Sequence, residues 1–414
     1  MAVSNDAPLS ESDIASLARG FHSWDPALIG QVWPVMHRLR GACPVFHSEV
    51  DNGFWVVAGY DEAKRVLQDS GTFSSHAAST VPAYPEGAAL PSMPPIHTDP
   101  PRQGDFRRIL NPFLSPAAIA KYEPVIRRIV RTLVSSFIDE GRCDFIGQLA
   151  RPFPARMLYE TMFGITDPAE VERCAAWTHK ANYGRDDPDF ADALRAWQCW
   201  ILQLIADRRA SGRSDDMLDA LIFGTVEGEP ITESDLLGVV MILILGGFGT
   251  TAEAGGWMMY ALARDQALQD HLRRNPDEIA GSLDEFLRIE PPVINIYRIC
   301  RRDAEVGGQR IHEGERVVVH LGSANRDPAV FTDPDMLDLG REANKHLTFG
   351  LGPHRCVGSH LARMNLRILF EEVLSRMERI ELDRERPPTQ LPTTAAWGLD
   401  SLPITFVVAA GPEH

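Results

Sequence analysis

Cys356 lies in the run Phe349-Gly350-Leu351-Gly352-Pro353-His354-Arg355-Cys356-Val357-Gly358, directly before a long amphipathic stretch. Glycines and a proline let the backbone turn tightly around a sulfur, leaving amide N–H groups to point at it. A thiolate held by backbone donors at a helix N-terminus is a stabilised anion, and so a metal ligand or a nucleophile. A zinc site using Cys356 with His346, His354 or His360 is the competing metal reading. Zinc sites favour paired ligands at short spacing, and no second cysteine is near.

A second chemical feature is the apolar run from Leu236 to Phe248, entered through Thr232-Glu233-Ser234-Asp235, which has the form of a capping box. The pattern predicts a buried helix continuing through Ala252 to about Asp265. Gly246, Gly247 and Gly249 interrupt it, each at a cost of ~1 kcal/mol relative to alanine. Such glycines admit something flat or bulky against the backbone, the alternative being close helix–helix packing. Thr250 follows, with Thr251 beside it, and a buried threonine can bond back to the carbonyl four residues earlier. A phosphate loop is rejected, because the lysine and the strand-then-helix context are missing. Further on, Glu285 and Arg288 are spaced i,i+3 for a charge-assisted pair on one helix face.

Around these features stand 414 residues, 44% hydrophobic and 24% charged, as in an ordinary globular protein. The formal net charge of −16 argues against nucleic acid or an anionic membrane as partner. Cys43, Cys143, Cys174, Cys199, Cys300 and Cys356 lack paired spacing and read as reduced thiols of a cytoplasmic protein. The start carries no basic or apolar leader pattern, and the Leu236–Phe248 run is shorter than the ~20 residues of a membrane span. A strand is expected at 53–58 and a helix at 61–68, then mostly helix from Ser115. Short strands are expected near Val317–Val319 and at 402–408. The expectation is one mainly α domain with small β-sheets over residues 1–414, a monomer, with about 20 loosely ordered residues at the start.

The pattern Phe-x-x-Gly-x-x-x-Cys-x-Gly resembles the haem-ligating signature of the cytochrome P-450 monooxygenases. Other segments fall in that family's order: Asp99-Pro100-Pro101 through Phe106-Arg107-Arg108, Glu285-x-x-Arg288, Pro291-Pro292-Val293 with Arg298, Ala324-Asn325-Arg326-Asp327-Pro328 with Phe331, and His346-Leu347-Thr348-Phe349. The likeness runs from about Asp25 to Val408. It implies the P-450 fold, an α+β arrangement with a long central helix over haem b (iron protoporphyrin IX). Cys356 would be the iron ligand, with Phe349, Gly352 and Gly358 around it, and Arg107, Arg298 and His346 would hold the haem propionates. Glu285, Arg288 and Arg341 would form a structural triad beneath the cysteine. By position, the substrate pocket would draw on Leu243, Gly246, Gly247, Phe248, Val293, Asn295, Tyr297 and Trp397. Segments 72–97 and 395–399 would add to it, although alternation lets only one side of a strand face inward.

Haem iron carried by a thiolate receives electron density that favours O–O cleavage, and oxygen activation also consumes two protons. The family usually places an acid immediately before the threonine of the central helix, and here Gly249 stands there. Three readings follow. Glu253, one turn beyond Thr250, takes over the relay, so that Thr250, Thr251 and Glu253 are the catalytic candidates; or the substrate supplies its own acid; or the enzyme is a peroxygenase or oxidative-coupling catalyst. The apolar lining suits a small, largely apolar substrate such as a terpenoid or substituted aromatic. No flavin or iron–sulfur motif is present, so electrons must come from a partner. Arg102, Arg107, Arg108, Lys345, Arg355, Arg363 and Arg367 would form a positive patch for an acidic ferredoxin. The alternative for Arg363 and Arg367 is a solvated face paired with Glu371. A haem-based sensor, the non-enzymatic reading, has no attached output pattern.

Overall fold

A thirty-residue helix, Glu233–Leu262, crosses the middle of the molecule, roughly 45 Å long at 1.5 Å per residue. The computed structural model describes residues 10–76, 90–184, 187–212, 215–391 and 396–409. Thr232 caps the central helix by accepting the Asp235 N–H at 3.1 Å. Helices Pro152–Met162, Pro168–Tyr183, Phe190–Ser211 and Ser359–Arg376 pack around it, which explains why it is apolar on nearly every side. By length and composition alone this helix could also cross a membrane, which the shorter apolar run in the sequence did not suggest. More than half of its most apolar window is buried inside the domain, as suits a core helix.

The main sheet has five strands in the order Val45–Ser48, Phe54–Val57, Arg316–His320, Asn295–Cys300, Phe73–Ser74. Strand Arg316–His320 runs parallel to Phe54–Val57 and antiparallel to Asn295–Cys300. One face buries Val45, Leu67, Phe73, Val317, Val319 and Leu347; the other buries Val35, Leu39, Phe54, Val56 and Val318. A third, larger cluster fills the helical body. Smaller sheets close the C-terminus, where Pro403–Val408 lies between Met377–Leu382 and Arg142–Asp144.

Of the roughly 20 residues expected to be loosely ordered, 1–9 lie outside the described residues and the later ones are folded. Residues 11–20 form a helix whose N-cap, Ser10, makes a full capping box with Asp13. Its Ile14, Leu17 and Ala18 pack against the second face of the sheet, so apolar burial orders a segment expected to be loose.

Candidate active site

The cysteine loop needs its glycines at two positions. Gly350 and Gly352 have φ of +67° and +71°, and a Cβ on Gly352 would stand 2.7 Å from the Leu67 carbonyl oxygen. The turn returns the Cys356 N–H to the Phe349 carbonyl at 2.7 Å. Gly358 serves differently. Its φ is negative, and it brings its amide to the sulfur just ahead of helix Ser359–Arg376. Burial pushes the Cys356 thiol up, while the Gly358 amide and the cations of Arg107, Arg355 and Arg363 oppose it. The residue is open to solvent although protein atoms surround its sulfur.

Beneath the loop the three triad residues meet. Arg288 donates to both Glu285 oxygens at 2.8 Å, and Arg341 Nε to both at 3.1 Å. Asn344 and the Asp338 amide complete the carboxylate's shell at 3.0 Å each. The Arg288 guanidinium, with none of its side chain exposed, also donates to the carbonyls of Asn325, Pro334 and Met336.

His346 is not with the propionate partners. Its Nε2 lies 3.5 Å from Asp284, its Nδ1 accepts the Thr348 N–H, and its ring packs near Phe349, whose other neighbour is Arg363. Burial opposes ionisation of Asp284, but the bonds from His346 and Arg363 outweigh it and hold the carboxyl below its ordinary range. The histidine near Arg298 and Arg107 is instead His354, inside the loop itself. Its buried Nε2 has no partner among the described residues, and it couples electrostatically to Arg298, Asp99, Arg107 and His97. Burial and these cations depress His354 to about 4. Burial alone lowers Arg298 to about 10, against the pull of Asp99. Arg107, Arg298, His97 and the orphaned Nε2 of His354 stand near one carboxylate, Asp99, which leaves this cluster short of negative charge. The arrangement fits the two carboxylates of a haem. Gln103, buried and donating to the Pro353 carbonyl at 2.6 Å, ties helix Arg102–Leu114 to the same loop.

On the central helix, Gly246 is exposed, with nothing within 4 Å of the place a Cβ would take. Thr250 shares that face and bonds back to the Gly246 carbonyl at 2.6 Å. Leu243 lies one turn before Gly246 and is half-buried. Other expected pocket residues turn away. A helix rotates about 100° per residue, so Gly247 meets Leu158 while Phe248 and Thr251 are buried in the core. Asn295 and Tyr297 are on the outer side of their strand: Asn295 donates to Ser23, and Tyr297 packs in the N-terminal cluster. Ile296 and Arg298 occupy the inner side. Val293 bridges to Ala396. Trp397 stacks on Trp257 and donates to Glu290 at 2.6 Å, a packing role. Within the segments expected to line the pocket, residues 77–89 and Ala395 lie outside the described residues.

The positive patch is more neutralised than its composition suggested. Arg102 pairs with Glu227 and Asp235, Arg108 with Asp105, Arg363 with Asp284, and Arg367 with Glu123 and Glu371. Arg107 donates to the Arg355 carbonyl at 2.6 Å. Among the described residues, Arg107, Lys345 and Arg355 remain without an ion pair.

A thiol in a loop shaped by glycines, donors short of an anion near it and a central helix opened by glycine are the features of a haem-thiolate oxygenase. A profile of the cytochrome P-450 family matches residues 179–408. Linalool 8-monooxygenase of Pseudomonas putida is 32% identical over 86% of this chain and 92% of its own. Steroid C26-monooxygenase of Mycobacterium tuberculosis is 31% identical over 89% and 98%. The crystal structure of CYP108D1 from Novosphingobium aromaticivorans superposes with a TM-score of 0.85 at 27% identity, covering 97% of this chain and all of the other. The chain belongs to the cytochrome P-450 family. It is a monooxygenase, an oxidoreductase that incorporates one oxygen atom of O2, and its cofactor is haem b bound through a cysteine thiolate.

Proposed function

We propose that this single-domain enzyme hydroxylates or O-dealkylates a small, largely apolar substrate, with Cys356 as the iron ligand. The observation that carries the reading is the orphaned His354 Nε2 near Arg298 and Arg107 in the Cys356 loop, together with the open face that Gly246 and Thr250 give the central helix. Arg107, Arg298 and His354 would hold the propionates. Bound there, haem supplies the oxygen-activating chemistry, which the thiolate's electron donation favours. The net reaction balances as R–H, O2, two electrons and two protons giving R–OH and water.

The chain's own residues set the conditions for that chemistry. Gly246 keeps the backbone low enough for a substrate to lie against it. Thr250 presents a hydroxyl on the same face, its proton directed to the Gly246 carbonyl until a better acceptor arrives. Leu243 and Ile296 are apolar surfaces that exclude water. The named activities of two relatives, on linalool and on a steroid, support an apolar substrate of terpenoid type.

Electrons come, in this reading, from a ferredoxin-type donor docking on the cysteine side in the cytoplasm, steered by Lys345 and Arg355. No nucleic acid or membrane takes part, and the enzyme acts as a monomer. The alternative, a peroxygenase or coupling enzyme, rested on the lack of an acid at Gly249. The buried carboxyl of Glu253 close to that position weakens it.

The test is a titration of the purified haem protein with linear terpene alcohols and sterols, watching the haem absorption band for displacement of iron-bound water. A terpenoid is expected to shift the band, and turnover is expected with ferredoxin and reductase but not with hydrogen peroxide alone. Turnover with peroxide only would reverse the assignment. Absence of the red-shifted thiolate band in the reduced carbon monoxide complex would remove its basis.

A further inference from the structure

Gly249 faces the end of helix Pro168–Tyr183, where a Cβ would stand 3.1 Å from both the Tyr183 hydroxyl and Asn182 Oδ1. Four residues further along, Glu253 is 1% exposed, and its carboxylate accepts a short hydrogen bond from that same Tyr183 hydroxyl. The other side of the carboxylate lies flat on Gly398, where any Cβ would collide with it. Residues four apart share a helix face, and side chains lean back over the preceding turn. The Glu253 carboxyl therefore reaches toward the space a side chain at 249 would have filled. Seven residues separate Glu253 from Gly246, so it continues the stripe that carries the open face and Thr250.

We propose that Tyr183 is a positioning residue that fixes Glu253 as the acid of the Thr250 groove, with Gly249 and Gly398 leaving the room. The proposal rests on the haem-thiolate reading above and names the part of this chain that serves its proton delivery. Each turnover consumes two protons; Glu253 gives one to the groove, becomes a carboxylate and regains a proton from water.

The surroundings suit that cycle. Burial raises the Glu253 carboxyl to about 7, while the Tyr183 bond and the Arg151 cation hold it down and Asp400 pushes it up. Near pH 7 both forms are therefore populated, the condition for efficient acid–base transfer. Arg151 sits over the Tyr183 ring at 5.1 Å and pairs at 3.1 Å with Asp400, whose side chain is 57% exposed. His179 packs against the other side of Tyr183, with ring centroids 5.0 Å apart. Glu253 is thus one pair of contacts from the surface, although it is itself buried.

The experiment uses infrared difference spectra of the substrate-free haem protein, with the carboxylic-acid band assigned by its loss in Glu253→Gln. In wild type that band should titrate near neutrality. Tyr183→Phe deletes the bond that favours the carboxylate, so the midpoint should rise by roughly one unit. Gly249→Ala, which crowds Tyr183 without removing it, should move it the same way. Both variants should release more hydrogen peroxide per electron consumed. An unmoved midpoint in both variants overturns the proposal, and so does a moved midpoint with unchanged coupling. Failure of the haem-thiolate reading shows elsewhere, in the carbon monoxide spectrum of wild type.

Discussion

The two sides of the proposed haem site are built on opposite principles. On the cysteine side Glu285 accepts from two arginines, an asparagine and a backbone amide, and Arg288 spends its remaining donors on three carbonyls. On the other side the wall is a run of glycines, one threonine bonded only within its own turn, and a single buried acid. A ligand that must hold one geometry through every redox state needs many fixed partners. A surface where substrate, oxygen and protons come and go needs space and a group poised between two charge states. The cross-bracing is thus placed where nothing should move.

Breaking the braced side should have the larger consequence. Glu285→Ala leaves Arg288 and the partly buried Arg341 without their carboxylate, and loss of one partner of a buried pair typically costs about 3–5 kcal/mol. Urea unfolding should show that loss, together with poor haem retention. A cost below about 1 kcal/mol would mean that the cluster behaves as a solvated surface pair.

The open side should respond to pH rather than to truncation. Glu253 has a folded value of about 7 against an ordinary 4.5, so the native state holds its proton more tightly than the unfolded chain. Stability from this group is fully present below pH 4.5 and is lost as pH rises through 7. The change amounts to at most about 3 kcal/mol. Glu253→Gln should flatten that part of the stability profile while leaving the acid limb, set by carboxyls such as Asp284, in place. A profile that still falls across the same window in the variant would assign the slope to another group.

How far each side could be read in the sequence follows the same division. The braced side is local in sequence terms: Gly352 announces its positive φ, Glu285 and Arg288 are one helical turn apart, and Cys356 lies within the loop that shapes it. The exception there is His354, which lies within the turn that His346 precedes, and only the fold brings its ring near Arg298. The open side depends on rotation and on distant partners. Phe248 and Thr251 lie beside Thr250 in sequence yet are buried, because a helix presents one residue in three or four to any neighbour. Asn295 and Tyr297 were assigned to the wrong side of a strand for the equivalent reason at period two. Tyr183, 70 residues before Glu253, carries no signal in the sequence at all.

The surface beneath the braced side gives the smallest effect and the finest test of the comparison. Arg367 had two sequence readings, a docking cation or one member of a solvated ion pair. The structure shows it bonded to Glu371 four residues on and to Glu123 of a neighbouring helix, with about a quarter of its side chain exposed. A guanidinium whose donors are held by two carboxylates contributes little net field to an approaching partner. Arg367→Ala should therefore cost less than about 1 kcal/mol of stability and leave the salt dependence of reduction by a ferredoxin as in wild type. Lys345→Ala removes a cation with no ion pair and should flatten that dependence. If the two variants behave alike, docking reads total charge. If only Lys345 matters, the paired arginines belong to the bracing that holds the cysteine side rigid, and the free cations alone belong to the partner.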